Sequence, residues 1–213
     1  MMGTVAMKSN RLLGGVAVVL MGAVVSFGFL AQNVWAGGAT DAMKGTIDEV
    51  LRILADKELK QPAKATERRQ LLEKVVGDRF DYPEMSRRAL GAPWANLSEK
   101  DKDEFVSLFQ TLLVNSYADK IESYSGEGVQ YINERTEKDY AEVRTKVLTG
   151  KTEIPLDYRL LNKASVWRVY DVVVDGVSLV NNYRGQFTKI MRTGSYADLV
   201  DQLRKKSDKI KTP

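Results

Sequence analysis

Gly150-Lys151-Thr152 has the residue types that close a phosphate-binding loop, a lysine for phosphate and a hydroxyl for its metal. Such a loop needs a glycine five residues before Gly150, where Thr145 stands, and a helix after it, where the sequence alternates as a strand. The tripeptide reads as a hairpin turn. Gly126-Glu127-Gly128 has no third glycine and no strand before it, and reads as a loop. Asp101, Asp103 and Glu104 gather three carboxylates, but at the start of a helical stretch, where they complement the helix dipole rather than flank a scissile bond. Ser86 has Arg87 and Arg88 beside it and no general base in view. Asn96-Leu97-Ser98 matches a glycosylation acceptor, yet Ser98 as a helix cap explains it more simply. The 213 residues include no histidine and no cysteine. That removes His-based triads, thiol nucleophiles, Cys/His zinc sites, iron–sulfur clusters and disulfides. The expectation is a protein that is not an enzyme and that holds no cofactor or metal.

The elements around these residues fall into two patterns. Residues 41–124 have helical spacing. Ile47, Val50, Leu51 and Leu54 form one stripe, and Leu71, Leu72, Val75 and Val76 a second that ends near Gly77. Asp81-Tyr82-Pro83-Glu84 reads as a helix start in which Asp81 caps and Glu84 completes a capping box, with Gly91 and Pro93 as the stop. Ser98 opens a long helix carrying Phe105, Leu108, Phe109, Leu112, Leu113 and Tyr117 on one broad face. Residues 129–180 alternate instead. Ala141, Val143, Thr145, Val147 and Thr149 share one face of a strand, and Thr152, Ile154, Leu156, Tyr158 and Leu160 one face of the next. A fourth strand, Val166 to Val174, is expected to set Trp167, Val169 and Val173 on one face and Val166, Tyr170, Val172 and Val174 on the other. Asp175-Gly176 is a tight-turn signal, and Val177 to Val180 reads as a short strand. Two helices follow, the first with Tyr183, Phe187, Ile190 and Met191, the second capped at Ser195. The order predicts an α+β fold: a twisted antiparallel sheet of four to five strands packed against helices.

Residues 1–36 differ in kind. Lys8 and Arg11 are the only charges before Asp41, Leu12 to Ala31 is apolar or small, and Val34-Trp35-Ala36 offers small residues for a processing site. This predicts a signal peptide over 1–36 and a single domain over 37–213, with an uncleaved membrane anchor as the alternative. Both put the domain outside the cytoplasm. Loss of Lys8 and Arg11 lowers the formal net charge from +4 to +2, which argues against a nucleic-acid partner. Arg204 to Lys211 reads as a solvated helix end.

Two stretches go further. Phe80-Asp81-Tyr82-Pro83-Glu84-Met85-Ser86-Arg87-Arg88-Ala89-Leu90-Gly91 with Trp94, and Trp167 to Phe187 with Asp171-Val172-Val173-Val174-Asp175-Gly176 and Asn181-Asn182-Tyr183-Arg184-Gly185, resemble the two signatures of the MlaC family of periplasmic phospholipid-binding proteins. The resemblance implies a monomeric periplasmic carrier. It would take glycerophospholipid between an outer-membrane lipoprotein complex and an inner-membrane complex of an MCE-domain ring and an ABC transporter. Such a carrier needs an apolar cavity between sheet and helices. Phe105, Leu108, Leu112, Val143, Val147, Ile154, Leu156, Tyr158, Val169 and Val173 are the candidate wall. Tyr82, Asp171, Asn182, Tyr183 and Arg184 are read as fixing the helix–sheet junction, with Arg184 or Arg87 on a lipid phosphate as the alternative. A carrier of another apolar lipid, such as a hopanoid or fatty acid, and a ligand-free periplasmic adaptor are the competing readings.

Overall fold

The computed structural model describes residues 37–124, 128–150 and 152–211. The segment 1–36, read above as a leader, lies outside them, as do Gly126, Glu127 and Lys151 of the two loops. Helices α1 (Gly37–Ala55) and α2 (Ala65–Arg79) come first, then α3 (Tyr82–Leu90) and the 24-residue α4 (Glu99–Glu122). Strands β1 (Val129–Glu137), β2 (Tyr140–Thr149), β3 (Thr152–Lys163), β4 (Val166–Val174) and β5 (Val177–Ser178) pair in sequence order as an antiparallel meander. Helices α5 (Leu179–Thr193) and α6 (Tyr196–Lys211) follow. This is the α+β order that the change of period predicts. Among the described residues no helix is long and apolar enough to cross a membrane.

Local chemistry sets the boundaries. The Asp81 carboxylate accepts the Glu84 N–H at 3.0 Å, and the Ser98 hydroxyl accepts the Asp101 N–H at 3.2 Å, so both expected caps form. The Glu84 half of the expected capping box does not. The Asp81 N–H donates instead to the Val169 carbonyl of β4 at 2.8 Å, and Glu84 turns to Arg87 and Arg88 at 2.6 and 2.7 Å. The strand expected over Val177 to Val180 stops after Ser178, because the Ser178 hydroxyl accepts the Asn181 N–H at 3.1 Å and starts α5. Asp175 and Gly176 both have positive φ, 48° and 79°, as a two-residue hairpin turn requires. α2 runs past Gly77 to Arg79.

The inner face of β2 is as expected: Ala141, Val143 and Thr145 are buried, while Arg144 and Lys146 on the other face pair with Glu142 and Glu153. β4 departs from simple alternation. Its register passes from Leu160↔Val169 to Arg159↔Asp171, so Tyr170 is an extra residue with no partner. A bulge of one residue moves everything beyond it to the other face. Val172 and Val174 therefore join Trp167 and Val169 on the inner face, and Val173 leaves it. This corrects the expected grouping of Val173 with Val169.

Three apolar clusters result, the third joining Ile53 and Leu54 of α1 to Leu72 of α2. The first is helical. Phe105 and Phe109 of α4 meet Tyr183 and Phe187 of α5, with the Phe109 ring centroid 5.2 Å from Tyr183 and 5.4 Å from Phe187, edge to face. The second lies on the sheet, where Ala39 and Met43 of α1 cover Ala141, Val143, Leu160 and Val169.

Candidate functional site

α1 is covered differently along its length. Ala39 and Met43 are fully buried near its start. One to three turns on, Ile47, Val50, Leu51 and Leu54 border open space, which Leu72 and Val76 of α2 and Leu113, Tyr117 and Ile121 of α4 also border. Val147, Leu156, Tyr158, Val172 and Val174 form its floor on the sheet. The cavity, open on one side, measures about 340 Å³. Native interiors leave few voids larger than one water, about 30 Å³. Its lining of aliphatic and aromatic side chains suits an apolar occupant.

Its chemistry is uniform. Tyr82 and Tyr158 turn their rings to the cavity, and burial pushes the Tyr82 phenol up to about 12 and that of Tyr158 higher still. Neither ionises near neutral pH. The charged side chains at the cavity are Arg69, Glu73, Lys120 and Glu122. Glu122 is taken by Arg68 at 2.6 Å, and Lys120 lies 5.5 Å from the Tyr117 ring centroid. Among the described residues no group of acidic side chains could hold a metal ion. An apolar hollow with charge confined to a few side chains can enclose hydrocarbon and leave a polar end near water.

The family model described as MlaC protein matches residues 44–205 of this chain. The chain belongs to the MlaC family. The matched span runs from the first half of α1 into α6 and so includes every wall of the cavity except Met43. The intermembrane phospholipid transport system binding protein MlaC of Haemophilus influenzae is 25% identical over 101 residues, 45% of this chain and 47% of that protein. The match thus spans about half the length of this curated relative. A phospholipid-binding protein from Ralstonia solanacearum, solved in complex with a phospholipid, superposes with a TM-score of 0.71 at 26% identity, over 81% of this chain and 98% of that one.

Within this MlaC-family fold the ten candidate wall residues separate. Val147, Leu156 and Tyr158 line the cavity. Phe105 and Leu112 are buried in the helical core, and Leu108 packs against it. Val143 and Val169 lie under α1 where the sheet is solidly covered. Ile154 pairs with Val147 on the neighbouring strand but is not among the lining residues, and Val173 is on the far face for the reason given by the bulge. Of the signature residues, Asp171 and Arg184 are joints, whereas Tyr82 lines the cavity. Asp171 accepts from Ser178 Oγ at 2.7 Å, Val180 N–H at 3.1 Å and Arg159 at 3.1 Å, fastening β4 to α5. Arg184 Nε donates to the Arg88 carbonyl at 2.9 Å, tying α5 to α3. Tyr183 belongs to the aromatic core, and Asn182 is exposed. Arg87 is held by Glu84, and neither Arg87 nor Arg184 lines the cavity.

The walls that sequence reasoning missed are α1, α2 and the second half of α4. Their stripes were visible, but spacing reports an apolar face and not what stands opposite it. One usable signal was composition: α4 has phenylalanine at 105 and 109, and leucine, valine, alanine and isoleucine at 113, 114, 118 and 121.

Proposed function

We propose that this protein is a periplasmic phospholipid carrier, which takes the acyl chains of a glycerophospholipid into the cavity between α1, α2, α4 and the sheet. The observation that carries the reading is that cavity, about 340 Å³ with aliphatic and aromatic walls, in a chain of the MlaC family. The solved Ralstonia relative, with its bound phospholipid, supports the same ligand class. The energetics fit such a task. Each buried CH₂ is worth about 0.8 kcal/mol, so a lipid with about 30 of them is held in a bilayer by roughly 25 kcal/mol. A carrier has to offer a comparable apolar environment for extraction without exceeding it so far that release stalls.

The same reading extends to the route. Residues 1–36, with their basic start and apolar run, act as a signal peptide, and the cargo passes between an outer-membrane lipoprotein complex and an inner-membrane complex of an MCE-domain ring and an ABC transporter. ATP hydrolysis then belongs to those partners, and this chain acts as a monomeric carrier rather than an enzyme. The test is lipid extraction and mass spectrometry on the protein purified without detergent. Phospholipid near one equivalent is the expected result. A well-folded protein carrying only a hopanoid or free fatty acid would replace the cargo, and an empty one would favour the adaptor reading.

A further inference from the structure

A second groove, of about 490 Å³, opens between α2 and α4 and is walled by Arg69, Glu73, Ser107, Gln110, Thr111 and Asn115. Arg69, Glu73 and Val114 border both this groove and the apolar cavity. They mark the line where hydrocarbon-like space gives way to polar space. Arg69 Nε donates to Glu73 at 3.3 Å, and Arg69 Nη2 donates to Asn115 Oδ1 at 2.8 Å. These bonds use two of the five guanidinium donors and leave those on Nη1 for an incoming oxyanion. The side chains of Arg69 and Glu73 are 35% and 44% exposed. The neighbouring Arg68–Glu122 pair is 18% and 21% exposed and already closed on itself at 2.6 Å.

We propose that this junction is the head-group subsite and that it favours a zwitterionic phospholipid, with the phosphate on Arg69 and the ammonium on Glu73. The proposal rests on the carrier reading above. Tails drawn into the cavity leave the phosphodiester at its polar border, where Arg69 offers a planar fork of donors. A head group with a terminal ammonium then meets Glu73. An anionic head group with a neutral polyol brings Glu73 no cation of its own, so the carboxylate has to share Arg69 with the phosphate. Ser107, Gln110, Thr111 and Asn115 supply hydrogen bonds to either kind without discriminating by charge.

The experiment is competitive loading. Protein stripped of lipid is incubated with vesicles of equal phosphatidylethanolamine and phosphatidylglycerol, and bound lipid is extracted and quantified by mass spectrometry. The wild type should enrich phosphatidylethanolamine about fivefold, the scale of a partly exposed charge contact. Glu73→Gln should abolish the enrichment at unchanged total loading. Arg69→Gln should lower loading of both lipids, and Arg69→Lys should recover part of it. Matching thermal midpoints of the variants confirm that the fold is intact. Wild-type loading in the offered ratio, or enrichment that survives Glu73→Gln, overturns the subsite while leaving the carrier standing. Failure of the wild type to load either lipid overturns the carrier reading, and the subsite with it.

Discussion

Along α4 the first part, Phe105 to Leu112, meets rings from α5 and side chains from α3 and α6, whereas further on Val114, Ala118 and Ile121 border open space and Leu113 and Tyr117 serve both regions. One helix of 24 residues, about 36 Å long, thus serves a solid region and a hollow one. The comparison teaches how a protein can keep a cavity without collapsing into it. Phe105 and Phe109, at 0% exposure, clamp one end of a stiff rod, and the rod holds the cavity wall at the other. The hollow region forgoes contacts that the solid region makes in surplus. Stability and capacity for cargo are therefore separable by mutation.

The largest effect expected is in the solid half. Phe109→Ala should cost about 3–5 kcal/mol and lower the midpoint of thermal unfolding by about 10 °C, while lipid per folded molecule is unchanged. A parallel fall in lipid content would show that the two regions are not independent. Next, Val147→Glu should fold and lose co-purifying lipid at least tenfold, because burying its carboxylate against hydrocarbon costs several kcal/mol. Lipid retained in that variant, read by native mass spectrometry, would remove Val147 from the wall.

A smaller pair sharpens the contrast in opposite directions. Ala89 is fully buried in the helical core, and Ala118 borders the cavity. Ala89→Phe should destabilise by about 1–3 kcal/mol through overpacking. Ala118→Phe should be neutral or stabilising in the lipid-free protein and should reduce loading, since its ring enters unfilled space. Urea unfolding of both lipid-free variants checks this.

The smallest effect concerns acid. Burial alone would raise the Glu84 carboxyl, but hydrogen bonds from Arg87 and Arg88 outweigh it and hold it below the ordinary glutamate value. A group lowered in the folded state contributes stability above its unfolded value and loses it as pH falls through the folded one. Stability should therefore drop on the acid side of the ordinary glutamate range, and Glu84→Gln should flatten that limb. An identical acid limb in urea titrations of the two proteins would assign the loss to other carboxylates.

Much of this was legible in the sequence. The caps at Asp81, Ser98 and Ser195, the turn at Asp175-Gly176 and the faces of β2 and β3 follow from side-chain chemistry acting within a few residues. What was hidden depends on pairing between distant segments. The Tyr170 bulge exists only against β3, and without it the parity of Val172, Val173 and Val174 reads backwards. The cavity is hidden for the same kind of reason. Val50 and Ile53 sit on one apolar helix and in one cluster with Leu72, yet Val50 also borders the cavity and Ile53 does not, and only the tertiary arrangement of α1, α2 and α4 decides which does which.

The open sheet has a free margin at β1, and that margin is not left plain. Ile132 is an unpaired extra residue against β2, and Arg135, Glu137 and Gln130 are exposed around it. At the other margin β5 is only two residues long before α5 begins. A kinked, charged border and a truncated one both deny a neighbouring molecule a straight ladder of free amides and carbonyls. For a molecule with an apolar hollow beside an unclosed sheet, such borders guard against fibre growth.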